Sequence, residues 1–159
     1  MQPADPRPVR AGHALVTGGG RGMGVAIAAA LARRGCSISL LGRTAATLGQ
    51  TAQRLADEHG VPVHHALADI ADEAAVAAAV ASCRERLGPV SVLVNNAGIA
   101  PSAPFLASDT ALWRRVLDVD LMGAVHATRA VLPDMLEAGR GRIVNIASTA
   151  ALTGMAYVS

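Results

Sequence analysis

The chain has 159 residues, of which 52% are hydrophobic and 16% are charged, and its formal net charge is +2. This composition excludes an intrinsically disordered protein, because disordered chains combine low hydrophobicity with high net charge. The charge is too small to indicate a nucleic-acid partner, and no apolar run reaches the roughly 18 residues that span a bilayer. We therefore expect one globular domain with its own core and without a nucleic-acid or membrane partner.

The first residues and the cysteines add further expectations. The first 12 residues contain three prolines and no apolar segment, so we expect a flexible tail rather than a signal peptide. Residues 13–159 are then expected to form the domain. Cys36 and Cys83 lie in apolar surroundings without a partner motif, which is typical of a reduced protein. We therefore expect a cytoplasmic protein, and we predict no metal site.

Short apolar segments alternate with longer segments of helical periodicity along the chain. The apolar segments predict strands at residues 14–16, 37–41, 63–67, 90–94 and 142–147. Such alternation is typical of βαβ units, whose right-handed crossovers place parallel strands in one sheet with helices on both faces. The sequence therefore predicts an α/β fold with a doubly wound parallel sheet in three α/β/α layers, the Rossmann fold.

The helices are predicted from caps and apolar faces, the first of them at residues 25–32. Thr44 and Asp72 are expected to cap the next two, and Ser108 or Asp109 to cap a long fourth helix. Pro133 should kink or end that long helix, because proline lacks the N–H that a helix interior needs. The residues expected along its apolar face are Leu112, Val116, Leu121, Val125 and Leu132.

The turn between the first strand and the first helix is the central motif. Thr17 is followed by Gly18, Gly22 and Gly24. Glycine lets the backbone approach a ligand, and a helix N-terminus offers free N–H groups and a partial positive charge. This spacing differs from the common G-x-G-x-x-G fingerprint of dinucleotide sites. The turn indicates a pyrophosphate site, and a glycine turn without a ligand is the alternative that the motif alone leaves open.

Four glycine-containing or polar features fall at the ends of predicted strands. They are the glycine turn, Gly42-Arg43, the segment from Asn95 to Gly98, and Ser148. In an open α/β sheet the ligand lies outside the carboxyl ends of the strands. We therefore expect these four features to line one cleft.

With these motifs in this order, the sequence resembles the classical short-chain dehydrogenase/reductase family from about residue 12 onward. The resemblance is carried by Thr17-Gly18-x-x-x-Gly22-x-Gly24, Asp69, Asn95-Asn96-Ala97-Gly98 and Arg142-Ile143-Val144-Asn145-Ile146-Ala147-Ser148. It implies an enzyme that moves a hydride between a nicotinamide cofactor and a small carbonyl or alcohol substrate.

The resemblance also implies roles for individual residues. The cofactor contacts that it implies around the pyrophosphate are Thr17, Gly18, Gly20, Arg21, Gly22, Met23 and Gly24. It further implies Asp69 and Ile70 at the adenine, Asn95, Ala97 and Gly98 beside the ribose, and Ser148 on the substrate oxygen. The alternatives are a solvated carboxylate at 69, a structural asparagine at 95 and a turn serine at 148.

The choice of cofactor is predicted from the end of the second strand. Users of NAD generally place an acidic residue there for the ribose 2′-OH, whereas a nearby arginine suits the 2′-phosphate of NADP. Gly42 stands at the acid's position, Arg43 follows it, and the resemblance places Arg21 near the same ribose. Guanidinium groups form charge-assisted, often bidentate bonds to phosphate. The sequence thus favours NADP(H) over NAD(H), the alternative being two solvated arginines.

Two departures from the family pattern concern catalysis. Asp120 stands where the family usually has an asparagine that helps to hold a proton-relay water. The catalytic tyrosine is expected 13 residues after the serine, at position 161, with a lysine four residues later, whereas all 14 basic residues here are arginine and Tyr157 is only nine residues after Ser148. We therefore expect an incomplete chain lacking the C-terminal strands and helices. The alternative function is a truncated nucleotide-binding module or scaffold without turnover.

The remaining expectations concern partners. The segment 99–107 and the last residues are small and apolar, which favours an uncharged substrate. The resemblance implies that the complete form can assemble as a homo-oligomer, in part through the long helix, and leaves the oligomeric state open.

Overall fold

A computed structural model of the chain describes residues 12–152. The described strands are β1 (His13–Thr17), β2 (Ser37–Gly42), β3 (Val63–Leu67), β4 (Val90–Asn95) and β5 (Arg142–Asn145). All neighbouring pairs are parallel, and the strand order is β3-β2-β1-β4-β5. The predicted doubly wound sheet is therefore confirmed. Residues 1–11 of the expected tail and Tyr157 lie outside the described residues.

The helices connect the strands in chain order. They are α1 (Gly22–Ala32), α2 (Ala45–His59), α3 (Glu73–Leu87), α4 (Thr110–Val116) and α5 (Gly123–Glu137). A π-helical segment, Leu117–Met122, joins α4 to α5, and single 3₁₀ turns lie at Phe105–Ala107 and Thr149–Ala151. No helix within residues 12–152 is long and apolar enough to cross a membrane.

The two faces of the sheet bury separate apolar layers. On one face, Ala14 and Val16 of β1 pack with α1 and α2. On the other face, Leu15 packs with α3 and α5. This alternation follows from the two-residue period of a strand, because successive side chains point to opposite faces. β1 is fully buried for that reason, as a parallel strand covered on both faces should be.

The boundaries of the predicted elements need small corrections. The third strand matches residue for residue, whereas β5 ends at Asn145, two residues earlier than predicted. The first helix begins at Gly22 rather than at residue 25, so part of the glycine turn is its first helical turn.

The predicted caps are confirmed in two of three cases. The Asp72 carboxylate accepts the N–H of Ala75, and the Asp109 carboxylate accepts the N–H of Leu112. Thr44 occupies the N-cap position of α2, but its side chain makes no capping hydrogen bond. The hydroxyl of Thr47 donates instead to the Thr44 carbonyl, so α2 begins without the side-chain acceptor that was expected.

The buried face predicted for the long helix is wrong at three of its five residues, and of the kink or end predicted at Pro133 the end is wrong. The structure buries Val119, His126, Ala127, Val131 and Met135, whereas Leu121, Val125 and Leu132 are exposed. Close packing decides the face: a Cβ added to Gly123 would lie 2.7 Å from the Ile70 side chain, so α5 approaches the sheet side through its small residues. Pro133 does not end the helix, which continues to Glu137.

Candidate functional site

A cleft with a volume of about 570 Å³ opens at the carboxyl ends of the strands. Its wall combines the turn after β1, the end of β2 and the segments after β3 and β4. The predicted site residues that line it are Gly18, Gly20, Arg21, Gly22, Met23, Gly24, Arg43, Asp69, Ile70, Ala97 and Gly98. The strand order explains this convergence, because β1 lies between β2 and β4, where successive crossovers leave toward opposite sides of the sheet.

The glycine turn is pressed against the segment that follows β4. Gly18 has a φ of 66°, and a Cβ added there would lie 3.0 Å from the Ala97 Cα. A Cβ added to Gly24 would collide with the Gly18 carbonyl oxygen and lie 2.8 Å from the Asn96 Nδ2. Side chains at these positions would separate the two segments. The α1 N-terminus therefore stays open toward the cleft, with free N–H groups that fit a pyrophosphate.

Thr17 and Asn96 join the glycine turn to the segment that follows β4 by hydrogen bonds. The buried Thr17 hydroxyl oxygen accepts the N–H groups of Asn96 and Ala97, each at 3.0 Å. The Asn96 side-chain amide donates to the Thr17 carbonyl at 2.9 Å. Thr17, predicted as a cofactor contact, does not line the cleft and instead positions the residues that do. The sequence assigns no role to Asn96, although it belongs to the same motif and lines the cleft.

The Asn95 side chain points away from the cleft. Its amide donates to the Asn145 side chain at 2.8 Å and to the Thr128 hydroxyl at 3.4 Å. These bonds join β4 to β5 and α5. The geometry therefore supports the structural alternative for Asn95.

Asp120 and Ser148, the two predicted catalytic positions, both lie outside the residues that line the cleft. Asp120 belongs to the π-helical segment, and its carboxylate accepts the Ile99 N–H at 2.8 Å, which anchors the loop after β4. Ser148 is exposed, and its hydroxyl oxygen accepts the Ala150 N–H at 3.1 Å at the start of a 3₁₀ turn. Asp120 thus steadies the cleft wall, and Ser148 has the geometry of a turn serine.

Arg21 and Arg43 place two guanidinium groups at the cleft. Arg21 is the exposed residue before α1, and within residues 12–152 it forms no ion pair. Arg43 follows β2, where Gly42 contributes no charge, and 59% of its side chain is exposed. The part of the cleft beside Arg21 and Arg43 can bind an anion, because both side chains are exposed and can rotate toward it.

Asp69 is ion-paired rather than simply solvated. Its Oδ2 lies 2.8 Å from the Arg115 Nη2 and 3.8 Å from the Arg43 Nη1, and its Oδ1 accepts the Ala71 N–H. Partial burial acts to raise the pKa of Asp69, but the hydrogen bonds and the two positive charges outweigh it and lower the pKa below its usual value. Asp69 is therefore a stable anion in the cleft wall.

Arg115 is the charged residue of the cleft that sequence reasoning missed. It belongs to α4, 46 residues after Asp69 along the chain. No local motif marks it, since arginine in the last turn of a helix is common on electrostatic grounds alone. Within residues 12–152, no group of three or more His, Cys, Asp or Glu residues could hold a metal ion.

The comparisons with known proteins agree with this geometry. The model of the short chain dehydrogenase family matches residues 12–159. The chain belongs to this family. Galactitol 2-dehydrogenase (L-tagatose-forming) from Cereibacter sphaeroides is 41% identical over 135 residues, which cover 85% of this chain and 52% of that protein. This relative is named as a dehydrogenase, which supports oxidoreductase activity at the level of the family.

Solved structures extend the likeness to three dimensions. The crystal structure of L-sorbose reductase from Gluconobacter frateurii, complexed with NADPH and L-sorbose, aligns with a TM-score of 0.90 and 31% identity, covering 94% of this chain and 57% of that one. An actinorhodin polyketide ketoreductase with NADPH aligns with a TM-score of 0.88 and 37% identity, covering 93% and 57%. The chain spans about half the length of the relatives that it matches.

Proposed function

We propose that the protein is an NADP(H)-dependent oxidoreductase that acts on a small, uncharged carbonyl or alcohol substrate. The observation that carries the proposal is the pair Arg21 and Arg43 beside the glycine turn, at a strand end where Gly42 replaces the acidic residue typical of NAD users. Two similar structures that contain NADPH support the same cofactor. Bound NADPH would supply the hydride.

Different residues of the cleft would bind different parts of the cofactor. The glycine turn and the α1 N-terminus would hold the pyrophosphate, because its backbone N–H groups and partial positive charge face that end of the cleft. Asp69 and Ile70 would contact the adenine, and Ala97 and Gly98 would flank a ribose. Asp120 would act indirectly, through the loop that it anchors at Ile99.

The substrate end of the proposal rests on the family resemblance. Ser148 would donate its O–H to the substrate oxygen, and its oxygen can continue to accept the Ala150 N–H, because a hydroxyl donates and accepts at the same time. The general acid at position 161 and the lysine at position 165 stay predictions from the resemblance. Tyr157, expected to be neither of them, lies outside the described residues.

The cofactor proposal is tested by titrating the protein with NADPH and with NADH and following the fluorescence of the reduced nicotinamide. We expect tighter NADPH binding by about 2–3 kcal/mol if each arginine makes one charge-assisted phosphate contact. Arg43→Asp should reverse the preference, because a carboxylate repels the 2′-phosphate and accepts from a ribose hydroxyl.

The matched control is Arg54→Asp. Arg54 is exposed on α2 and is absent from the cleft, and the change in net charge is the same. It should leave both affinities near those of the unaltered protein. Equal affinities for NADPH and NADH before any substitution would overturn the proposed cofactor.

A further inference from the structure

Arg115 lies at the cofactor cleft without belonging to any of the motifs that predicted the cleft. It comes from α4 and faces the same carboxylate oxygen of Asp69 as Arg43 does. We propose that Arg115 determines cofactor specificity indirectly: by binding Asp69 it keeps Arg43 available for the 2′-phosphate of NADP(H). This inference rests on the proposed function and assigns to it a residue outside the phosphate-binding motifs.

The distances show which arginine holds the carboxylate. One oxygen of Asp69, Oδ2, faces both cations, at 2.8 Å from Arg115 and at 3.8 Å from Arg43. The first distance is that of a short charge-assisted hydrogen bond, and the second is beyond hydrogen-bond range. Asp69 is therefore committed to Arg115, and Arg43 is close enough to replace Arg115 if it were absent.

Competition for Arg43 connects this geometry to specificity. The Arg43 side chain is 59% exposed, so a small rotation could bring it onto Asp69. A carboxylate and a phosphate both satisfy the guanidinium fork, and a group bound to one is less available to the other. With Arg115 present, the three side chains carry one net positive charge at the cleft. Without Arg115, the remaining Arg43 and Asp69 carry no net charge, so the cleft would bind the 2′-phosphate dianion more weakly.

The two cofactors should respond differently to the loss of Arg115. NADH lacks the 2′-phosphate, so the availability of Arg43 should matter little for it. Loss of Arg115 should therefore lower NADPH affinity selectively. A residue that merely supported the fold or the adenine pocket would affect both cofactors alike, because both carry the same adenine and pyrophosphate.

The first experiment compares Arg115→Leu with Arg114→Leu by direct titration with NADPH and NADH, using the whole protein. Arg114 is the exposed neighbour on α4 and does not line the cleft, so the two variants lose the same charge one residue apart. We expect Arg115→Leu to weaken NADPH binding about three- to fivefold, as for a partly exposed ion pair, and to leave NADH binding unchanged. Arg114→Leu should change neither.

The second experiment removes the competing carboxylate as well. In Arg115→Leu/Asp69→Asn, no anion remains to hold Arg43, and the three positions again carry one net positive charge, so the NADPH-to-NADH preference should return toward that of the unaltered protein. Arg115→Lys keeps the charge and should retain most of the preference; it also serves if Arg115→Leu fails to fold.

The outcomes distinguish this inference from the proposed function beneath it. An unaltered protein that does not prefer NADPH overturns the proposed function and this inference with it. An NADPH preference that is as large in Arg115→Leu as in the unaltered protein, or a loss of affinity that is equal for both cofactors, overturns this inference alone. A preference that falls in Arg115→Leu and returns in the double variant supports it.

Discussion

Gly24 shows at the scale of one residue why the turn after β1 excludes side chains. It lies in the first turn of α1, a position where alanine would ordinarily favour the helix. The space for a Cβ, however, is occupied by the Gly18 carbonyl and by the Asn96 side chain, and Asn96 is itself bonded to Thr17. Displacing the Asn96 side chain would break its hydrogen bond to the Thr17 carbonyl, which joins the ends of β1 and β4.

We expect Gly24→Ala to lower the free energy of unfolding by about 1–3 kcal/mol through overpacking, and to weaken NADPH binding. Gly49→Ala is the control, since an added Cβ in the middle of α2 would meet the His65 ring at an ordinary 3.8 Å. That variant should be more stable by about 0.5–1 kcal/mol. Urea unfolding of both variants measures the contrast, and a Gly24→Ala protein as stable as Gly49→Ala would contradict it.

At the scale of elements, the long helix is apolar around much of its circumference. The buried face follows steps of four residues through Val119, Gly123, Ala127, Val131 and Met135. The exposed side also carries large apolar residues, among them Leu121, Val125, Leu132 and Leu136. Hydrophobicity therefore did not distinguish the two faces. The homo-oligomer that the resemblance implies through this helix stays a prediction.

Two adjacent residues test the corrected face. Val131 is 0% exposed, whereas Leu132 is 37% exposed. Val131→Ala should lower the free energy of unfolding by about 2 kcal/mol, because it removes buried methyl groups and leaves a cavity. Leu132→Ala should cost well under about 1 kcal/mol in a monomer. Thermal or urea unfolding decides, and equal losses would mean that the helix packs through another face.

His13 joins three elements and makes stability depend on pH. Its Nδ1–H donates to the Gly88 carbonyl at 2.7 Å, which leaves Nε2 to accept the Ser39 hydroxyl at 2.7 Å. Burial is the largest cause that lowers the pKa of His13 below 6.5; the Gly88 bond raises it in part, and the charge of His64 lowers it further. The buried imidazole is thus held neutral.

The sign of the pH effect follows from proton linkage. As pH falls below about 6.5, the unfolded chain takes up a proton that folded His13 refuses, so the free energy of unfolding falls until the folded pKa is passed. The slope from this group is at most about 1.4 kcal/mol per pH unit. His13→Gln should flatten the decline between pH 7.5 and 5.5. His64→Gln should flatten the decline less. Burial also lowers the pKa of His64, but its ring is more exposed than that of His13. An unchanged slope in His13→Gln would refute the assignment.

At the scale of the whole molecule, β5 is an edge strand of the sheet and is its most exposed strand. It pairs with β4, and all four of its residues are exposed, including Ile143 at 37% and Val144 at 45%. β4, by contrast, lies between two strands and is almost wholly buried. An apolar strand at the edge of a sheet can pair with another chain.

We expect the isolated 159-residue chain to self-associate through this edge. Sedimentation velocity at increasing concentration measures it, and Val144→Lys should shift the distribution toward monomer, since a charge on an edge strand opposes pairing. Leu106→Lys is the control, because Leu106 is 99% exposed but lies in a 3₁₀ turn away from the sheet edge. A single monomer peak for the unaltered chain would contradict the expectation.

The sequence by itself determined the order of the five strands and of the helices between them, because strand and helix periods, glycines and caps are local signals; it did not predict the π-helical segment that divides the long helix. It also placed eleven of the predicted residues at one cleft, since parallel strands bring their carboxyl ends to one edge of a sheet. The cofactor preference stays a prediction, because a charge beside a cleft does not by itself identify the anion that it binds.

Only the tertiary structure decided which predicted residues face the cleft and which support it. Thr17, Asn95 and Asp120 bind backbone or side chains of neighbouring segments, and Arg115 reaches Asp69 from 46 residues away. The buried face of α5 was decided by how closely Gly123 packs on Ile70. Such outcomes depend on distances between elements far apart in the chain, which no local pattern of residues encodes.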